Sequence, residues 1–160
     1  MASGDERATT PEGLDGAGLR IGIVRARWNT EIVGRLLEGT MRGLRELGVE
    51  TIVDESVPGS FEVPMGARIL AASGTVDAVV CLGVVIRGET THYEIVSEEA
   101  ARGIQQLQLD SGVPIAFGLL TVENEAQALA RSEGPGGHNV GEEAALVAVE
   151  MAQLKKRYSS

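Results

Sequence analysis

The residues with chemical potential in this chain gather in four short segments. They are Ala26-Arg27-Trp28-Asn29, Pro58-Gly59-Ser60-Phe61-Glu62-Val63-Pro64, Arg87-Gly88-Glu89-Thr90-Thr91-His92, and Phe117-Gly118 with Thr121 to Asn124. The 160 residues include one Trp, two Tyr, two Phe and two His, and these segments hold the Trp, both Phe and one His. A lone aromatic of this kind fills a core more often than a site. Three of them brought to one sheet edge read instead as a surface for a flat ring, worth roughly 1–3 kcal/mol by analogy with base stacking. Gly88-Glu89-Thr90-Thr91 offers a glycine, hydroxyls and backbone N–H groups just before a helix, which suits phosphate and equally suits plain helix capping. Glu89 opposes an anion unless its carboxylate turns outward. His92, in the first helical turn, is either a hydrogen-bonded helix-start residue or a proton shuttle, and the helix dipole there favours the neutral ring that a base needs.

Other candidates read more plainly. His138, in Gly-Pro-Gly-Gly-His-Asn, is expected to be exposed, and two distant histidines without cysteine neighbours make no metal signature. Cys81 lies among apolar residues as an inert core thiol. Glu98-Glu99 and Glu142-Glu143 are most simply solvated helix faces.

The elements that must position these residues alternate along the chain. Residues 1–18 are almost free of apolar side chains and read as a flexible arm, followed by one domain over 19–158. Leu19 to Arg25 is a strand by its β-branched content. Asn29 or Thr30 caps a helix with Val33, Leu36, Leu37, Leu44 and Leu47 at helical spacing and Gly48 as its left-handed exit. A second strand, Val49 to Val57, ends at Pro58-Gly59. Pro64 suits the first turn of a short helix closing at Gly74. Asp77 to Ile86 is nearly all apolar, as a strand covered on both faces would be. A long helix follows from about Tyr93 to Gly112, with Ile95, Val96, Ile104 and Leu107 inward. Val113 to Leu120 is the fourth strand, Thr121 to Asn124 opens another helix, and Gly134 to Gly141 leads into a last helix ending near Arg157. Strand then helix, four times over, predicts an α/β domain with a doubly wound, four-stranded parallel sheet and helices on both faces. In such sheets ligands bind beyond the carboxyl ends of the strands, where the four segments should lie.

Composition excludes several classes. The net charge of −9 argues against nucleic-acid binding, which needs a basic face. One cysteine cannot form an internal disulfide, and the longest apolar run, Ala78 to Ile86, is too short to span a membrane, so a cytoplasmic protein that binds no membrane is expected. There is no Gly-x-Gly-x-x-Gly after a strand, no Walker loop and no Gly-x-Ser-x-Gly elbow, which removes dinucleotide-binding, nucleotide-hydrolysing and serine-hydrolase readings.

From about Leu19 to Leu154 the chain resembles the 6,7-dimethyl-8-ribityllumazine synthase family. The resemblance is carried by Arg27-Trp28-Asn29, by Pro58 to Pro64, by Leu82-Gly83-Val84-Val85-Ile86-Arg87-Gly88-Glu89-Thr90-Thr91-His92-Tyr93-Glu94, and by Phe117 to Ala128 with Arg131 close behind. It implies a flavodoxin-like three-layer sandwich. The implied reaction condenses 5-amino-6-(D-ribitylamino)uracil with 3,4-dihydroxy-2-butanone 4-phosphate, releasing phosphate and water, with no cofactor and no metal. Trp28 matches the position on which the pyrimidine stacks, and Phe117 a further pyrimidine contact. Ser60, Phe61 and Glu62 match the ribityl-binding segment, and Val84, Val85 and Ile86 the segment along the pyrimidine edge. Glu89, Thr90 and Arg131 match phosphate-binding positions, and His92 the proposed proton-transfer residue.

The resemblance also implies a homo-oligomer, a pentamer or a multiple of pentamers, with sites between adjacent subunits and an arm that adds a strand to a neighbour. Two departures stand out. Val140 occupies a position where many members have lysine, and the loop from Arg131 to Gly141 is one residue longer than in shell-forming members, which favours a free pentamer. A non-catalytic lumazine- or flavin-binding or container member is the alternative function. A generic interaction module would leave the aromatic cluster unexplained.

Overall fold

The computed structural model describes residues 10–159. The first half of the expected arm, residues 1–9, lies outside the described residues. Of the rest, Gly16 is buried and its N–H donates to the Leu47 carbonyl at 2.6 Å, while the Asp15 N–H donates to Gln153 Oε1 at 3.3 Å.

Four strands, β1 (Arg20–Ala26), β2 (Thr51–Val57), β3 (Ala78–Ile86) and β4 (Ile115–Val122), form one parallel sheet in the order β2-β1-β3-β4. Among the described residues, three α-helices, α1 (Thr30–Glu46), α2 (Val63–Ala72) and α3 (His92–Ser111), connect the strands, two more, α4 (Glu125–Ala130) and α5 (Val140–Arg157), follow β4, and a 3₁₀ turn spans Ser60–Glu62. Alternation along the strands splits the apolar side chains between two cores. Ile21, Ile23, Val80, Leu82 and Leu120 meet α1, α4 and α5 on one face, through Leu36, Leu44, Ala128, Ala145 and Val149. Val24, Val79, Cys81, Ile115 and Leu119 meet α2 and α3 on the other, through Val63, Ala67, Ala100 and Ile104. The doubly wound α/β architecture expected from the sequence is therefore present. The run over β3 is apolar throughout because helices cover it on both sides; its first eight residues are buried.

The remaining expectations mostly hold within one or two residues. Gly48 takes the left-handed conformation after α1, with φ of 84°. Cys81 is fully buried and desolvation pushes its thiol up to about 12, so it is the inert core residue expected. Two placements differ. Ile95 is 55% exposed, because the inward stripe of α3 is Ser97, Ala100 and Ile104, and a residue two positions before Ser97 points far from it. The Glu142-Glu143 pair is not simply solvated: Glu142 lies 3.2 Å from Arg42 Nη2, and Glu143 lies 3.1 Å from Nε2 of His138, which is half-buried and not exposed. No helix among the described residues is long and apolar enough to cross a membrane.

The tightest packing is between α1 and α5. Thr40 Oγ1 donates to the carbonyls of Leu36 and Gly141, at 2.9 and 3.0 Å. Gly141 lies so close to α1 that a Cβ there would run into the Leu36 carbonyl oxygen, which is backbone and cannot rotate away. Gly141→Ala is accordingly expected to lower stability by about 1–3 kcal/mol, as overpacking does, with a lowered urea midpoint as the readout.

Candidate functional site

Because the strands are parallel, the segments following β1, β2, β3 and β4 leave the sheet at one edge. The chain passes from β1 to α1 on one face and from β3 to α3 on the other, so these neighbouring strands diverge and leave a crevice between their ends. The crevice deepens because the strands differ in reach. The last paired residues are Arg25 and Leu82, after which β1 stops at Ala26 while β3 continues to Ile86.

Asn29 braces the gap. It is the one non-glycine residue at positive φ among the described residues (61°), and its Nδ2 donates to the Val84 carbonyl at 3.3 Å. Its side chain thus ties the two strand ends together and does not cap α1. Trp28, the residue before it, is 73% exposed. The indole rests over Gly59, where an added Cβ would lie 2.9 Å from Trp28 Cδ1 and 3.3 Å from Glu62 Oε2, so a side chain there would push the ring or the carboxylate aside. Ser60 is buried, with its Oγ against Gly83 of β3, and Phe61 beside it is 56% exposed. Val84 and Val85 are buried and Ile86 half-buried, so this stretch offers a ligand its peptide groups more than its side chains.

Gly88 to Thr91 is an exposed loop entering α3, and His92, also exposed, is the first residue of that helix; its N–H lies 3.3 Å from Thr90 Oγ1. Arg87 and Glu94 pin the loop at its two ends. The Arg87 N–H donates to the Val122 carbonyl at 2.8 Å. Its Nε lies 3.0 and 2.9 Å from the two Glu123 carboxylate oxygens, its Nη1 pairs with Glu94, and its guanidinium sits 4.3 Å from the Tyr93 ring centre. The hydrogen bond from Arg87 holds the Glu94 carboxyl below the usual range, while Glu94 and then Glu123 raise the guanidinium.

Not every expected residue joins this cluster. Phe117 lies near the start of β4, paired with Cys81, five residues before the strand ends at Val122. At strand rise that is about 16 Å short of the carboxyl edge. It is 44% exposed on the face that α2 and α3 only partly cover, beside the open edge of the sheet. The fourth strand, expected to end at Leu120, runs through to Val122, and Asn124 caps α4 by accepting from the Gln127 N–H at 2.9 Å. Arg131 follows α4, its Nη1 donating to the Gln127 carbonyl at 3.0 Å. Val140 is 6% exposed in the core beside α1, so its side chain does not reach the loops.

Reasoning from residue types missed Asn29 as a brace and Arg87 as a clamp. Asparagine's tolerance of left-handed backbone was the available signal for the first. The partners of Arg87 lie too far apart in sequence for any local signal. No group of His, Cys, Asp and Glu among the described residues is arranged to hold a metal ion.

Comparison with known proteins bears on this arrangement. A family model described as 6,7-dimethyl-8-ribityllumazine synthase matches residues 18–156. A 6,7-dimethyl-8-ribityllumazine synthase of Thermococcus gammatolerans is 44% identical over 152 residues, covering 95% of this chain and 97% of its own. One from Schizosaccharomyces pombe is 46% identical over 155 residues, with 95% and 97% covered, and one from Kineococcus radiotolerans is 49% identical over 138 residues, with 86% and 85% covered.

The brace generates a test of its own. Asn29→Ala gives up left-handed tolerance, about 1–2 kcal/mol, and the bond to Val84, about 0.5–1.5 kcal/mol. Asn29→Gly gives up only the bond. Urea denaturation should therefore rank the native chain above Asn29→Gly and Asn29→Gly above Asn29→Ala.

Proposed function

The chain belongs to the 6,7-dimethyl-8-ribityllumazine synthase family, and from that premise we propose how its residues divide the family's reaction among them. It is a transferase of riboflavin biosynthesis. It condenses 5-amino-6-(D-ribitylamino)uracil with 3,4-dihydroxy-2-butanone 4-phosphate to 6,7-dimethyl-8-ribityllumazine, releasing phosphate and water. An amine adds to a carbonyl, phosphate leaves, and a second amine closes the ring. Most of the acceleration comes from holding two reactive molecules in register, which can contribute on the order of 7–11 kcal/mol.

One observation carries the assignment of residues. In a chain with so few aromatics, Trp28, Phe61 and Phe117 are 73%, 56% and 44% exposed, so none is spent on the core. Trp28 stacks on the pyrimidine. Ser60, Phe61 and Glu62 take the ribityl chain, with Glu62 held near the indole by Gly59. The peptide groups of Val84, Val85 and Ile86 read the pyrimidine edge in the crevice beyond β1. Glu89 and Thr90 bind phosphate through backbone N–H groups and the Thr90 hydroxyl, and the outward, exposed Glu89 side chain removes the objection to an anion there. Arg131 supplies a fork of charge-assisted donors, which is how a chain of net charge −9 holds a phosphate. His92, exposed at the mouth of α3, moves protons between the reacting nitrogen and the departing oxygens.

The site is completed by a second copy of the chain. Phe117 is about 16 Å from the carboxyl edge along its own strand, so within one chain it does not face Trp28. It serves instead, with Arg131, the crevice of a neighbour. Support comes from the apolar surface that α2 and α3 leave open: Met65, Ile69, Ile95 and Leu109 are each more than half exposed. The assembly is a pentamer or a multiple of pentamers, with the free pentamer favoured by the longer loop before Gly141, and its place is the cytoplasm, in keeping with a single buried thiol.

The expected kinetics follow from these roles. Purified protein mixed with both substrates should form product saturably above the spontaneous condensation. His92→Ala should lower kcat by about 10–100-fold with substrate binding kept, the lower part of what a positioned acid–base residue contributes. Arg131→Ala should instead raise the KM for the phosphate-bearing substrate. Turnover equal to the spontaneous rate would point to the binding or container alternative, and native-like turnover of His92→Ala would remove that residue from proton transfer.

A further inference from the structure

We propose that Arg87 is a positioning residue: it fixes the loop that precedes His92 by clamping α3 to the end of β4, without touching either substrate. The inference rests on the functional reading above and adds a residue to it. Four contacts support it. The Arg87 backbone is tied to Val122 and its side chain to Glu123, both at the end of β4. The far end of the same guanidinium pairs with Glu94 and covers the Tyr93 ring, both in the first turn of α3. Between these anchors lie residues 88–91, an exposed loop in which the His92 N–H lies 3.3 Å from Thr90 Oγ1 and the Thr91 carbonyl accepts from the Ile95 N–H at 3.2 Å. The side chain of Arg87 therefore closes a ring around the loop, and both the phosphate-facing N–H groups and the His92 ring hang from that ring.

The guanidinium is suited to this task. It meets two carboxylates and an aromatic face, which is what a planar fork does and a lysine ammonium does not. With Nε directed to Glu123 and Nη1 to Glu94, it serves as a frame for the loop and not as a ligand for phosphate. Exposed ion pairs contribute little to global stability, so the consequence of losing this one is local misalignment, to which catalysis is far more sensitive than folding.

The test compares Arg87→Gln, Arg87→Lys, Glu94→Ala and Glu94→Gln with the native enzyme. Arg87→Gln should lower kcat by about 10–100-fold and raise the KM for the sugar phosphate, while the KM for the pyrimidine and the thermal midpoint stay near native. Glu94→Ala, which leaves Arg87 in place, should reproduce that pattern, and Glu94→Gln, which keeps an acceptor oxygen, should restore most of the loss. Arg87→Lys should stay closer to Arg87→Gln than to the native enzyme. Amide hydrogen exchange over residues 88–93 should quicken in Arg87→Gln and Glu94→Ala alone, a readout that needs no turnover. Kinetic constants within about twofold of native in both Arg87→Gln and Glu94→Ala would overturn the proposal. So would a defect in Arg87→Gln that Glu94→Ala fails to share, because that result makes Arg87 a direct ligand. If the native protein itself shows no turnover, the functional reading fails separately, and unchanged exchange in the two variants would then overturn the clamp. Should Arg87→Gln not fold, Glu94→Ala and Arg87→Lys decide the question by the same measurements.

Discussion

The offset between the ends of β1 and β3 governs what the rest of this molecule can do. Parallel strands whose connections depart to opposite faces cannot remain paired to their tips, and here β3 runs on to Ile86 after β1 has stopped at Ala26. The overhang leaves this stretch of β3 without a β1 partner while Val84 packs in the core beside α1 and Val85 stays buried. Such a gap would close or fill without a brace, and Asn29 spans it through one hydrogen bond to Val84. Asn29 does so from a left-handed backbone, and Trp28 just before it lies out over Gly59. A strained residue at the centre of a proposed site is where local backbone cost is commonly found.

Around that crevice the loops are stiffened by different means. Ser60 is packed against Gly83, which has no side chain to oppose it. The loop before His92 is fastened by charge, through Arg87, and not by burial. On the far side, Asn139 is 2% exposed and holds the loop after α4, donating to the Arg35 and Glu133 carbonyls at 3.1 and 2.9 Å and accepting from the Glu142 N–H at 3.1 Å. These are polar fastenings at the rim of an apolar scaffold, and each places one group while leaving the surface open for substrate.

Much of this was legible in the sequence. Alternation of strand and helix, the unbroken apolar run of β3 and the glycine after α1 are local patterns with direct physical meaning, and they placed the sheet and its carboxyl edge correctly. The segments bearing Trp28, Phe61 and His92 could be located because unusual residues stood where loops had to be. Phe117 was misplaced at the carboxyl edge although it falls inside the strand expected over Val113 to Leu120; it pairs with Cys81 well before the end of β4, and Gly118 beside it is required there, where a Cβ would press on the Cys81 carbonyl and Leu82. Glu142 looked solvated because its partner Arg42 lies on α1 and meets it only once α1 and α5 pack, and His138 because its loop folds back on Glu143 in the first turn of α5. The clamp at Arg87 was hidden similarly, since Glu123 is thirty-six positions away.

The central claim is that one chain supplies only part of each site and a neighbouring copy supplies Phe117 and Arg131. The most direct test mixes two defective chains, His92→Ala and Arg131→Ala, in one assembly and assays at low sugar phosphate, where both are impaired. If the residues come from adjacent copies, random pairing leaves about one site in four with both groups intact, and the mixed assembly should regain roughly that share of native activity. If co-assembled mixtures are no more active than the average of the two separate variants, His92 and Arg131 act within one chain, and the shared site is wrong.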